Sequence, residues 1–291
     1  MARRPRLILP GQLHHILLRG NNDQPVFVDD EDRQAFRQIL GEAARQQGAT
    51  LHAWLLLPNR VHLLVTPREE RALAAVMQTL GRQYVRCFNT RHQRSGTLWE
   101  GRFRASLVEG ARFGLVCQQY LERLPVAMGL APTPAHYLWS SARHHLGLEH
   151  EPGLQPQPAY WALGNTPFER EAAWQTRLAE EALAQALAEV HPHLAHRDLA
   201  RALASGHPIA THAWLHRLEL IHDRTLRFRT VGRPVKRIAT GPRQARKTRN
   251  PLIYLYKISP ERAATTLVAI SRPGGGLFCP HYWKIELFSD N

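Results

Sequence analysis

In the stretch LHAWLLLPNRVHLLVTP, Leu51 to Pro67, an arginine and a histidine stand two residues apart just past the turn-forming pair Pro58-Asn59. Side chains of a strand alternate between faces, so Arg60 and His62 point the same way, as a pair gripping a metal ion or a phosphate must. Histidine is a common metal ligand. Arginine stays protonated up to about pH 12 and does not bind hard cations, but its planar guanidinium matches a phosphate in bidentate geometry. His62, flanked by apolar neighbours, also fits a satisfied structural histidine.

Other residues could serve a phosphate or a base. Arg19, Asn21 and Asn22, in the run RGNN, suit phosphates and base edges, and equally suit a plain strand-end turn. Trp99 and Phe103, interleaved with Arg102 and Arg104, offer rings for unpaired bases or for a core. From Arg224 to Asn250 ten cations, Arg233, Lys236 and Arg237 among them, occur without one acid, which reads as a nucleic-acid arm. Tyr120 recurs with Val116, Cys117 and Leu124 at helical spacing, and periodicity alone makes that a core stripe. His14 and His15 fit surface positions equally well, and the histidines between His191 and His222 lack ligand spacing.

Charge supports a polyanionic partner. The 38 Lys+Arg against 24 Asp+Glu leave +14 over 291 residues, with a sequence pI near 10.6. No stretch reaches the roughly 18 apolar residues of a spanning helix, which favours nucleic acid over membrane. The opening MARRPRLILPG has too brief an apolar patch for a secretory signal. Cys87, Cys117 and Cys279 are odd in number and far apart, which fits a reducing cytoplasm and excludes a zinc site built from cysteines.

The elements that position these residues alternate in type. Leu13 to Arg19 reads as a strand and Asp30 to Gln47 as a helix opened by acids, with Phe36, Ile39, Leu40 and Ala43 at helical spacing. The Leu51–Pro67 hairpin follows, then the amphipathic helix ALAAVMQTLGRQYVRCFNTRH, a strand within GTLWEGRFRASLV, and the helix FGLVCQQYLERL, stopped by Pro125. This β-α-β-β-α-β order predicts an α+β, ferredoxin-like antiparallel sheet of four strands over residues 12 to about 110, with two helices on one face. The first region, which holds these elements, is placed at 1–150. A Pro-rich linker and helical extension span 151–222, the basic arm 223–250, and a tail with no interpretable motif 251–291.

Taken in order, HHILLRGNNDQPVF, LHAWLLLPNRVHLLVTP, SGTLWEGRFRASLV, CQQYLERLPVAMGL and HYLWSS resemble the REP-associated tyrosine transposases. These are single-tyrosine HUH enzymes related to the small insertion-sequence transposases. The resemblance is close over about Leu13 to Leu148 and looser through LGNTPFER and the GRP of the basic arm. It implies a single-stranded or hairpin DNA partner of REP type. It also implies a histidine pair plus a helical amide holding Mg²⁺ or Mn²⁺, and a tyrosine that attacks the phosphate and leaves a 5′-phosphotyrosine link.

Carried across, Tyr120 is the nucleophile and His62 a metal-binding catalytic residue, while Arg60 and Leu124 stand at the other two ligand positions. Glu122 and Gln119, conceivable substitutes, are about 100° or more out of phase with Tyr120 on a helix. The expectation is a DNA-binding protein descended from these enzymes, with weakened metal-dependent cleavage. Two alternatives remain open: a fully active single-strand DNA transposase, and an RNA-binding protein on the same scaffold, although the aromatic RNP patterns of an RRM are missing. Monomer and homodimer are both compatible with the sequence.

Overall fold

The computed structural model describes residues 7–179, 196–223 and 226, all within one compact unit, Met1–Thr230. Strands β1 (Leu13–Arg19), β2 (Ala49–Leu57), β3 (Arg60–Pro67) and β4 (Arg104–Val108) pair antiparallel in the order β2-β3-β1-β4. Helix α1 (Asp30–Gln46) joins β1 to β2, α2 (Ala72–Arg91) joins β3 to β4, and α3 (Gly110–Ala127) follows β4. This is the ferredoxin-like arrangement that the element order predicts.

Both faces of the sheet are covered, which is why its strands read as nearly continuous apolar runs rather than alternating ones. On one face α1 and α2 pack Phe36, Leu40, Val76, Leu80 and Tyr84 against Ile16, Leu18, Trp54 and Leu63. On the other, α3 lays Phe113, Val116, Cys117, Tyr120 and Leu121 onto Leu13, Leu55, Leu57, Leu64 and Val108. The spacing of those α3 residues is helical, so the stripe suggested by Tyr120 is real and faces the sheet.

Charges fix the helix ends. Asp29 caps α1 by accepting the Asp32 N–H, and the first turn adds Asp30, Glu31 and Asp32 where the helix dipole favours acids. Arg91, in the last turn of α2, donates to Asp29, Glu31 and Asp32 and so ties the two helices together. Helix α3 does not stop at Pro125 as its sequence predicts. Proline in the final turn forfeits one backbone bond while its fixed φ stays helical. The helix runs on to Ala127 and is closed just beyond it by Gly129, whose φ of +69° supports paired bonds from Gly129 N–H to Val126 and from Leu130 N–H to Pro125.

Chain beyond β4 seals both sheet edges. Along β2, Leu56 N–H reaches Trp139, Ser141 N–H reaches Trp54, and Gln155 N–H in the Pro-rich segment reaches Leu51. Along β4, Ile209 N–H bonds Leu107 and Glu109 N–H bonds Ile209. Covered edges cannot template pairing with another chain. Among the described residues the remaining α-helices are the single turns α4 (Ala142–His145) and α5 (Pro158–Trp161), then α6 (Pro167–Arg177), α7 (His196–Ser205) and α8 (His212–His222). The last carbonyls of α6 and its cap, Arg177 and Leu178, are met by Gln119 and Arg123 of α3. The basic arm with Arg233, Lys236 and Arg237, and the tail 251–291, lie outside the described residues. Among the described residues no helix is long and apolar enough to cross a membrane.

Candidate nucleic-acid interface and tyrosine site

The register of the two central strands assembles the site. Arg19 lies opposite Arg60, Leu17 opposite His62, and His15 opposite Leu64, so alternation puts all six on one face, the face that α3 covers. His15 and His62 meet there, with His15 Nε2 3.0 Å from His62 Nδ1 and both side chains buried. His14 and His15 are therefore not surface residues. His14, on the opposite pleat, hydrogen-bonds the Gln12 carbonyl and accepts the Leu9 N–H. Burial drives the His15 pKa down to about 3. It also pushes His62 well below the usual imidazole value, helped by the neighbouring His15 and Arg60 charges.

Arg60 sits at the rim of this face with its head fixed from two sides. Its Nε donates to Asn59 Oδ1 at 3.0 Å, and its terminal nitrogen lies 3.8 Å from Asp23 Oδ1. The same Asp23 oxygen accepts Asn59 Nδ2 at 2.7 Å and Arg19 Nε at 3.2 Å, and Glu100 approaches Arg19 at 3.5 Å. RGNN forms the turn that delivers this carboxylate. Gly20 N–H bonds Asn59, Asn21 N–H bonds Leu98, and Asn22 and Asp23 take left-handed φ values of 52° and 61°. Asn and Asp tolerate that region better than most residues do.

Tyr120 lies among Leu55, Leu57 and Leu64, the immediate neighbours of His62 and Arg60 in the sheet. Its hydroxyl does not keep a normal pKa near 10. Burial pushes it up to about 12, against the opposing pull of the Arg60 charge. Leu124, one turn later, packs half-buried on the same apolar cluster. Glu122 points away into a buried polar knot. Its carboxylate accepts Ser141 Oγ at 2.8 Å, His145 Nδ1 at 2.6 Å and Trp174 Nε1 at 2.9 Å. Gln119 turns toward the end of α6.

These donors do not fit the metal that the resemblance implies. His62 has one nitrogen engaged by His15, Arg60 brings a positive charge where a ligand is needed, and Leu124 has no donor atom. Glu122 and Gln119 are committed elsewhere, and no group of three His, Cys, Asp or Glu suited to a metal occurs among the described residues. His62 is thus a buried neutral partner of His15, a role that the sequence reading missed because it weighed His15 by itself rather than across the strand.

The remaining expected contacts divide. Arg102 is exposed, and Arg104 donates to the Ala204 carbonyl in the last turn of α7. Trp99 is not a free stacking platform, since its ring packs 6.2 Å from those of Phe36 and Tyr84, and Phe103 packs against the same core. Asn21 is half-buried and Asn22 exposed.

Residues 11–123 match the family model described as "Transposase IS200 like". That match spans the β-α-β-β-α-β sheet and most of α3, the helix that presents Tyr120. Solved structures similar to it include a REP-associated tyrosine transposase bound to a REP hairpin, at 14% identity over 55% of this chain and 93% of that one, with a TM-score of 0.42. Another is a protein of Deinococcus radiodurans R1 described as a transposase, at 24% identity over 42% of this chain and 97% of that one, with a TM-score of 0.30. No curated protein matches the chain.

Proposed function

We propose that the protein is a DNA-binding member of the REP-associated tyrosine transposase group, whose sheet face between Arg19, Arg60 and Tyr120 receives a single-stranded or hairpin DNA end, and whose metal-dependent cleavage is weakened. The observation that carries this reading is Arg60 itself: a guanidinium held by Asn59 and Asp23 at a position where the family places a metal ligand. It brings charge to a phosphate without Lewis acidity. In the family the metal polarises the scissile phosphodiester. Here Tyr120, with its hydroxyl held up at about 12, faces an unpolarised one. The domain order 1–150 for the transposase-like part, 151–222 for the extension, 223–250 for the arm and 251–291 for the tail belongs to the same proposal.

Its test is the salt dependence of oligonucleotide binding. Affinity for a hairpin with a single-stranded flank should fall steeply as salt rises, by about 0.7 in the log–log slope for each phosphate neutralised on a single strand. Removing residues 224–250 should flatten that slope. Binding that ignores salt contradicts the nucleic-acid reading.

A further inference from the structure

Arg19 and Arg60 are directly opposed on neighbouring antiparallel strands, a like-charge pairing that destabilises a sheet unless something offsets it. Asp23 supplies the offset with a single oxygen, Oδ1, which lies 3.2 Å from Arg19 Nε and 3.8 Å from Arg60 while accepting the Asn59 amide at 2.7 Å. The longer of these contacts is loose, and the carboxylate is about one-third exposed, at 34%. An oxyanion arriving from solvent can reach the same two guanidinium groups. The two arginines differ in exposure, 42% for Arg19 and 16% for Arg60, so the outer one meets solvent first.

Resting on the nucleic-acid reading above, we propose that Asp23 is a built-in competitor: in the protein without DNA its carboxylate stands where a phosphodiester oxygen sits when Arg19 and Arg60 engage a strand. Binding exchanges one anion for the other. The turn makes the exchange possible. Asp23 sits at a left-handed position in a short turn anchored by backbone bonds of Gly20 to Asn59 and of Asn21 to Leu98, so its side chain can swing while the backbone stays pinned. Glu100, 3.5 Å from Arg19, plays the same part more weakly. The consequence is selectivity: a weak or isolated anion fails to displace the carboxylate, whereas a strand anchored at several phosphates succeeds.

The experiment compares wild type, Asp23→Asn and Glu42→Gln in binding a fluorescent single-stranded oligonucleotide at fixed salt. Asparagine keeps the size of the side chain, its tolerance of left-handed φ and an acceptor oxygen, but removes the charge. Glu42→Gln makes the same charge change on the exposed side of α1. Asp23→Asn should tighten binding about fivefold, the order of one partly exposed ion pair, and Glu42→Gln by less than about twofold. In an Arg19→Gln/Arg60→Gln background the Asp23→Asn gain should disappear, which a double-mutant cycle reads directly. Weaker or unchanged binding by a folded Asp23→Asn protein, or an equal gain from Glu42→Gln, overturns the competitor role. If no variant binds any oligonucleotide, the failure lies with the nucleic-acid reading instead.

Discussion

His15 and His62 sit on adjacent strands with ring nitrogens 3.0 Å apart, and each keeps one further nitrogen, Nδ1 of His15 and Nε2 of His62, with no hydrogen-bond partner in the buried layer under α3. One ring must donate to the other, so at least one of the two facing nitrogens carries a proton and the pair works as a neutral unit. Protonating it places charge between sheet and helix with nothing to answer it.

This makes stability depend on pH in a defined direction. The folded-state pKa values of His14 and His15 lie at about 4 and about 3, below the 6.5 of an unfolded chain. The unfolded state therefore binds more protons over that interval, and the stabilisation present above pH 6.5 is lost as pH falls toward 4 and 3. Urea unfolding from pH 8 to pH 4.5 should show the midpoint falling below about 6.5. A His15→Leu variant, though less stable at pH 8, should lose less across the range. Equal slopes for the two proteins contradict the buried neutral pair.

The knot around Glu122 joins the tyrosine helix to the chain beyond residue 140, with Ser141, His145 and Trp174 all donating to one fully buried carboxylate. Removing the carboxylate strands three buried donors. Glu122→Ala should cost about 3–5 kcal/mol in denaturant unfolding, the scale for breaking a buried hydrogen-bonded charge pair. Trp174→Phe, which leaves one carboxylate oxygen short of a donor, should cost about 1–3 kcal/mol. A loss below about 1 kcal/mol for Glu122→Ala means that the extension does not brace α3 in this way.

Gly20 offers a steric test of the RGNN turn. A Cβ there would stand 2.1 Å from the Gln24 carbonyl oxygen, backbone that cannot step aside cheaply. Gly20→Ala should destabilise the protein by about 1–3 kcal/mol and weaken oligonucleotide binding at the same time, because the shifted turn displaces its neighbour Arg19 from its place opposite Arg60. Wild-type stability and binding in this variant argue against a turn fixed in the form described.

Much of this was legible in the residues. The strand, helix and hairpin signals of Leu13–Pro67 reproduce β1, α1, β2 and β3 within a residue or two, because apolar periodicity and the Pro58-Asn59 turn are local. That Arg60 and His62 share a face follows from strand alternation, and the Tyr120 stripe from helical phase; that α3 covers this same face was implied only by the resemblance. What the sequence hid is what depends on cross-strand register. His15 looked like one of a surface pair until β1 set it against β3, and the Asp23 link between two arginines needs the RGNN turn folded back to Asn59. Trp99 carries no signal that separates a stacking ring from a core ring, and three-dimensional packing alone decided it.

Metal binding gives a further check on the donor set. Mn²⁺ at millimolar concentration should leave the melting temperature of wild-type protein unchanged. The double variant Arg60→His/Leu124→Asn should gain stability with rising Mn²⁺, by about 2.7 kcal/mol at a hundredfold excess over Kd. A Mn²⁺-dependent rise in wild type that is lost in His62→Gln contradicts the misfit of these donors.

The central claim, binding without efficient cleavage, is tested most directly by covalent capture on a denaturing gel. Wild-type protein with Mn²⁺ and a hairpin-flanked oligonucleotide is expected to give little or no protein–DNA adduct. Arg60→His/Leu124→Asn should raise the adduct by orders of magnitude, since metal polarisation supplies several kcal/mol of barrier lowering, and either change alone should do less. Adding Tyr120→Phe should abolish it. Strong adduct from the unmodified protein, lost on Tyr120→Phe, contradicts the claim and establishes a working tyrosine site with Arg60 in place of a metal ligand.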